Sequence, residues 1–202
     1  MRTQTSSIPV LLEREGELTT LAAAVAEAAD GDGTVVLIQG PAGVGKTRLL
    51  AGARSSARHA GMHVLEARGA VLERDFAFGV ARQLFEQTTL AAEGDERDAL
   101  FAGAAGLAER LVGDGGSGFG PDDGDAEFAA LHGLYWLTAN LADRGPLLLS
   151  VDDAHWADSS SLRFLGYLSR RLEGLPVLQA PRAARRTRRG PVSGGNSPTT
   201  RR

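Results

Sequence analysis

The chain has 202 residues, of which 43% are hydrophobic, so it is long enough and apolar enough to fold around a packed core. It contains no cysteine, which excludes disulfide scaffolds, iron–sulfur clusters and cysteine nucleophiles. Its net charge of −3 hides an asymmetry, because residues 182–202 carry seven arginines and no acid. An acidic body is therefore followed by a basic tail, and the two need separate explanations.

The hydrophobic residues are spread along the chain and not concentrated in one long segment. No apolar run approaches the ~20 residues needed to span a bilayer. Residues 1–12 lack the charged and then apolar order of a secretory signal. We therefore expect a cytoplasmic protein that does not associate with membranes.

Strand and helix patterns alternate along the chain, which predicts an α/β fold with a mainly parallel sheet and helices on both faces. Short β-branched or leucine-rich runs without polar alternation are typical of strands buried on both faces. In chain order the predicted elements are a helix over 14–29, a strand over 34–39, a helix over 46–60, a strand over 63–67, helices within 79–89 and 96–112, a helix over 125–143, a strand over 147–151, a helix over 159–172 with Asp158 as its N-cap, and a strand from 176 that stops at Pro181.

Two segments have a different composition from the predicted core. Residues 113–125 are mostly glycine and aspartate, so we expect a mobile surface loop there. Residues 181–202 are rich in arginine, proline, glycine and serine, which is typical of a disordered tail. We accordingly expect a flexible N-terminus over 1–9, one domain over 10–180 and a disordered basic tail over 181–202. A nucleic-acid patch in this tail is the alternative, but it has no interleaved aromatic residues.

A glycine-rich segment directly follows the first predicted strand and opens a helix. Its residues match the pattern G-x-x-x-x-G-K-[ST] and are Gly40, Pro41, Ala42, Gly43, Val44, Gly45, Lys46 and Thr47. Backbone N–H groups of such a loop surround phosphate oxygens, and the helix N-terminus adds positive charge. Lys46, the single lysine of the chain, is expected to contact the β- and γ-phosphates, and the Thr47 hydroxyl is expected to ligate Mg²⁺.

Two adjacent carboxylates follow the second leucine-rich strand. A phosphate-loop enzyme needs a carboxylate at the end of a neighbouring strand to hold Mg²⁺, and Asp152 is the candidate. Asp153 is placed to orient the attacking water or to contact the metal. His155 follows, either as a group that senses the γ-phosphate or as a capping histidine beside Trp156. No Asn-Lys-x-Asp segment of guanine-specific enzymes is present, which favours ATP or ADP as the ligand.

Four separated blocks resemble the N-terminal ATPase domain of large LuxR-family transcriptional regulators, an AAA-like domain of the STAND type with the P-loop NTPase three-layer sandwich. They are residues 11–18 (LLEREGEL), 40–47, 68–69 with 73–85, and 152–158 with 161–165. The resemblance implies that the first block, with Arg14, lies near the adenine, that Asp152 coordinates Mg²⁺, and that Asp153 serves hydrolysis. It also implies that ATP binding acts as a switch that controls assembly of the protein. We therefore count self-association among the candidate interactions of this chain.

The resemblance ends near residue 178. The family continues with a strand ending in a polar or arginine sensor, a further strand, a lid and, much later, a DNA-binding helix-turn-helix. We therefore expect a sheet that is incomplete on its C-terminal side, a truncated chain without a DNA-binding domain, and ATP binding in preference to efficient hydrolysis. An inert fragment and a small P-loop kinase remain the alternatives.

Overall fold

The computed structural model describes residues 15–41, 43–113 and 124–184. The predictions made for Arg14, Ala42, residues 1–9, the interior of the 113–125 loop and residues 185–202 concern residues outside these ranges. Within these ranges the strands are β1 (Thr34–Val35), β2 (Ile38–Gly40), β3 (His63–Arg68), β4 (Leu147–Asp152) and β5 (Val177–Ala184). The α-helices are α1 (Glu15–Ala29), α2 (Lys46–His59), α3 (Gly79–Ala91), α4 (Gly94–Leu100), α5 (Glu109–Val112), α6 (Gly124–Ala142) and α7 (Ser159–Ser169).

All described strands are parallel, in the order β1/β2–β5–β4–β3. Parallel neighbours need a crossover, and the helices between the strands provide it. Side chains of successive strand residues point to opposite faces, so each central strand contributes to two separate cores. Leu147, Leu149 and Val151 of β4 pack in the core that contains α3, α6 and α7 residues. Leu148 packs in the core that contains α1 and α2 residues. The predicted three-layer α/β fold is confirmed.

β1 and β2 are two parts of one strand. Thr34 lies beside Leu178 and Ile38 lies beside Arg182, which is the same register along β5. The Val36 N–H donates to the Gln179 carbonyl at 2.8 Å. In a parallel ladder the Val36 carbonyl would then accept from the N–H of residue 181, but Pro181 has no N–H. The strand is therefore interrupted after Val36, just before the glycine-rich loop.

The prediction that the last strand stops at Pro181 is wrong. β5 continues through Pro181 to Ala184, and it lies between β4 and β1/β2. Proline is rare in central strands because it cannot donate to the ladder. Here the missing hydrogen bond is confined to one position, and pairing resumes at Arg182. The first four residues of the expected basic tail, 181–184, thus belong to the sheet.

The remaining predicted elements differ from the structure mainly at their ends. The segment 96–112 contains α4, a 3₁₀-helix over Gly103–Ala108 and α5. The helix expected at 159–172 ends at Ser169, and its N-cap is Asp158, as predicted. None of the described helices is both long enough and apolar enough to cross a membrane.

Candidate nucleotide-binding site

The glycine-rich loop connects β2 to α2 at the carboxyl edge of the sheet. β2 ends at Gly40, and α2 begins at Lys46 with Gly45 as its N-cap. Gly43 has φ 81° and Gly45 has φ 80°, a left-handed conformation that costs side-chain-bearing residues energy and glycine very little. Because the N-cap residue of α2 is a glycine, it has no side chain that could accept a hydrogen bond from the first N–H groups of the helix. The loop therefore presents backbone donors and the positive end of a 14-residue helix dipole to the same space.

Lys46 lies at the base of this loop and is 5% exposed. Its ammonium group donates to the carbonyl oxygen of Pro41, across the loop. A buried ammonium needs a partner, and here the partner is a neutral carbonyl of the loop itself. The lysine is thus held where a phosphate oxygen entering the loop would meet it. Thr47 follows in the first turn of α2 and is exposed, so its hydroxyl is accessible.

The acidic pair is positioned by β4, whose first five residues are fully buried. Asp152 is the last residue of β4, and its side chain is 13% exposed. By the alternation along β4, Asp152 points to the same face as Leu148, which packs against α1 and α2. The strand thereby presents this carboxylate on the face that carries the helix of the glycine-rich loop.

Asp153 begins a sharp turn after β4. It has φ 49° and ψ 37°, a left-handed conformation that is unusual for a residue other than glycine. The Asp153 N–H donates to Asp152 Oδ1 at 2.9 Å, which fixes the two carboxylates relative to each other. The turn packs closely against Gly69, where an added Cβ would lie 2.5 Å from the Asp153 carbonyl oxygen. Gly69 is therefore needed for the close approach of β3 to this turn.

Two arginines contact the acidic pair. Arg182 donates from Nε to Asp152 Oδ1 and from Nη2 to Asp153 Oδ1, the latter at 2.6 Å. Arg68, the last residue of β3, places Nη2 3.2 Å from Asp153 Oδ2. The carboxylate pair thus binds two positively charged side chains in this structure, which indicates that its position favours a cation.

The residues present fit Mg²⁺. Carboxylate and hydroxyl oxygens are the hard ligands that this ion prefers, and Asp152 and Thr47 supply one of each. Asp152 ends β4 and Thr47 follows β2, so both lie at the carboxyl edge of the sheet, where open α/β sheets bind their ligands.

His155 lies beside the end of β5. Its Nδ1 accepts the Ala184 N–H at 3.3 Å, and its ring lies 4.9 Å from that of Trp156. This geometry corresponds to the capping alternative that the sequence left open, because the ring nitrogen satisfies a backbone donor at a strand end.

The sequence interpretation missed Arg182, which it assigned to the disordered tail. The signal that could have identified Arg182 is a polar residue at the end of an apolar segment, which is also the signal that identified Asp152. Pro181 obscured it, because proline normally ends such a strand.

A parallel sheet with a glycine-rich loop after the edge strand and an acidic pair at the end of β4 defines a P-loop nucleoside triphosphatase fold. The chain matches the family model described as "AAA ATPase domain" over residues 10–179, and it belongs to that family. It is also 30% identical over 186 residues to an uncharacterized protein of Rhizobium meliloti (strain 1021). That match covers 83% of this chain and 18% of the relative, so the chain spans less than a fifth of the relative's length.

Proposed function

We propose that this chain is an ATP-binding switch module in which the loop from Gly40 to Thr47 holds the phosphates and Asp152 helps to hold Mg²⁺. The observation that carries the proposal is the geometry of Lys46. It is buried beneath a loop with two left-handed glycines, and its ammonium group donates to a neutral carbonyl, that of Pro41. A phosphate oxygen would replace a neutral acceptor with a charged one, and charge-assisted hydrogen bonds are roughly twice as strong as neutral ones.

Each residue has a separate part in this proposal. Backbone N–H groups at Gly43 and Gly45 orient the phosphates, and Lys46 neutralises their charge. Mg²⁺ would supply further neutralisation of the triphosphate when it is bound. Asp153 accepts a proton from the attacking water or orients that water, so Asp153 and Lys46 are the candidate catalytic residues. The ion pairs of Asp153 with Arg68 and Arg182 favour slow turnover, because a general base must be free to accept a proton.

ATP binding is tested by titrating the purified chain with a fluorescent ATP analogue, with Mg²⁺ and with EDTA. Lys46→Ala is expected to weaken binding by about tenfold or more, since hydrogen bonds to charged groups contribute about 1.5–3 kcal/mol. Arg48→Ala is the matched control, because it removes one exposed positive charge from the same turn of the same helix. Equal effects of the two variants, or no ATP binding by the unaltered chain, would overturn the proposal.

The broader role rests on the sequence resemblance to LuxR-type regulators. We propose that ATP binding changes the self-association of a larger regulator of which this domain forms one part. Sedimentation velocity of the chain with ATP, with ADP and without nucleotide tests this role. A sedimentation coefficient that is the same in all three conditions contradicts it, even if ATP binds.

An alternative, the inert fragment, is separated by thermal unfolding. A cooperative transition that shifts upward with Mg-ATP supports the binding module, because a ligand that binds only the folded state stabilises it. A transition that does not respond to ATP supports the inert fragment. The kinase alternative predicts transfer of phosphate to an acceptor in place of release of free phosphate.

A further inference from the structure

Arg182 lies between the acidic strand end and the strand that leads into the glycine-rich loop. Val151 of β4 lies beside Pro181, so the next residues in register are Asp152 and Arg182. On the other side of β5, Arg182 lies beside Ile38 of β2. Neighbouring strands in a sheet are about 4.8 Å apart, so this arginine occupies the one-strand gap between Asp152 and β2. Arg182 therefore lies between Asp152 and the strand that leads into the glycine-rich loop.

The guanidinium of Arg182 engages both carboxylates at once. Its Nε and Nη2 donate to Oδ1 of Asp152 and of Asp153, respectively. The side chain of Arg182 is 12% exposed, and those of Asp152 and Asp153 are 13% and 17% exposed. Charges removed from water to this extent are stable only when they are paired, and the planar guanidinium donates in two fixed directions. The paired state is therefore a defined arrangement of the site and not a loose surface contact.

The same oxygens cannot serve Arg182 and Mg²⁺ together. Asp152 Oδ1 already accepts from Arg182 and from the Asp153 N–H. Mg²⁺ requires near-octahedral oxygen ligands at about 2.0–2.1 Å and keeps several waters, which leaves no room for a guanidinium on the same atom. Two cations beside one another would also repel each other. Metal binding at Asp152 Oδ1 therefore requires that Arg182 leave this oxygen, and repulsion between the two cations opposes binding at the neighbouring carboxylate oxygens while Arg182 stays.

We propose that Arg182 is a latch that closes the carboxylate pair to Mg²⁺, so that the metal binds only to the fraction of molecules in which this arginine is released. The proposal rests on the ATP-binding function proposed above. The apparent affinity for Mg²⁺ then falls in proportion to the fraction of molecules in which Arg182 is released. The unaltered chain is then expected to bind ATP with little difference between Mg²⁺ and EDTA.

The test compares ATP dissociation constants in EDTA and in Mg²⁺ for the unaltered chain, Arg182→Gln and Arg144→Gln. Arg144 is the matched control, since it is also an ion-paired arginine, bound to Glu96, but it precedes β4 at the opposite edge of the sheet. The ratio of the EDTA constant to the Mg²⁺ constant is expected to rise about tenfold in Arg182→Gln and to stay unchanged in Arg144→Gln. A ratio that is unchanged or lower in Arg182→Gln overturns the latch.

A second variant guards against a folding defect, because removing one partner of a buried pair is destabilising. Arg182→Lys keeps the positive charge but cannot form the bidentate contact. The ratio of its EDTA constant to its Mg²⁺ constant is therefore expected to lie between the ratios of the unaltered chain and of Arg182→Gln. If Arg182→Gln does not fold, a ratio in Arg182→Lys equal to that of the unaltered chain overturns the latch. Failure of all variants to bind ATP, in EDTA as well as in Mg²⁺, would instead contradict the proposed function.

Discussion

Asp158 caps two helices, and its replacement by alanine should be among the most destabilising single changes in the chain. Asp158 is 3% exposed. It accepts the Ser161 N–H at 2.7 Å as the N-cap of α7. It also accepts the N–H groups of Phe78 at 2.8 Å and Val80 at 3.3 Å, at the start of α3. The N-cap of α3 is Phe78, which has no side-chain acceptor, so Asp158 supplies the acceptor from 80 residues away.

The expected magnitude follows from these three contacts. Loss of an N-cap costs about 1 kcal/mol, and each buried donor left without a partner costs about 1–3 kcal/mol. Asp158→Ala leaves the Phe78 and Val80 donors without this acceptor, so the three contributions together amount to about 3–7 kcal/mol. Asp158→Asn keeps an oxygen for Phe78 and Ser161 but loses the charge and one acceptor, which predicts about 1–2 kcal/mol. Because a domain is stable by only about 5–15 kcal/mol, the alanine variant should be close to unfolding.

Urea unfolding followed by circular dichroism measures both variants, with Asp143→Ala as an exposed control that should change stability by less than about 0.5 kcal/mol. The midpoint should fall in the order Asp143→Ala, Asp158→Asn, Asp158→Ala, with little change in the slope m. A loss below about 1 kcal/mol in Asp158→Ala would show that Asp158 acts only as the cap of α7 and that the bonds to α3 contribute nothing.

Two further predictions concern glycines. Gly69→Ala should lower stability by about 1–3 kcal/mol, because the new Cβ would lie 2.5 Å from the Asp153 carbonyl oxygen. Gly166 lies inside α7, and an added Cβ there would have no atom within 4 Å apart from its chain neighbours and the nearby backbone of the helix. Gly166→Ala should therefore raise stability by about 0.5–1 kcal/mol. A change in the same direction for both variants in thermal unfolding would contradict this reasoning. Gly43→Val should weaken ATP binding more than Gly43→Asn, because the φ of Gly43 is 81° and asparagine adopts this conformation more readily than valine. An equal loss of affinity in nucleotide titrations of the two variants would contradict this prediction.

The parts of the site that the sequence predicted are those with a local cause. A buried-type strand, a glycine-rich loop and the start of a helix follow one another directly, so the positions of Lys46 and Thr47 could be inferred without the fold. Asp152 was identified in the same way, from a carboxylate at the end of a leucine-rich strand. The N-cap role of Asp158 also depends on its immediate neighbours, and the structure confirms it.

The parts that could not be predicted depend on distant segments. The bond from Phe78 to Asp158 joins residues far apart in the chain, and no local pattern indicates it. The extension of β5 past Pro181 is favoured by neighbours on both sides, which restore the pairing at Arg182. Local rules for proline predicted an end to the strand, and tertiary pairing overrode them. The contact of Arg182 with Asp152 could not be foreseen for the same reason.

The position of β5 also determines when the sheet can form as the chain is synthesised. Within the described part of the chain, β1 and β2 pair with β5 alone, and Thr34 lies beside Leu178. The ribosome adds about 5–20 residues per second, so the first strand waits many seconds for its partner to be synthesised. Pairing between such distant segments is slow, because the intervening loop must be closed first. The glycine-rich loop, although it is synthesised before β5, is therefore among the last parts of the domain to be fixed in place.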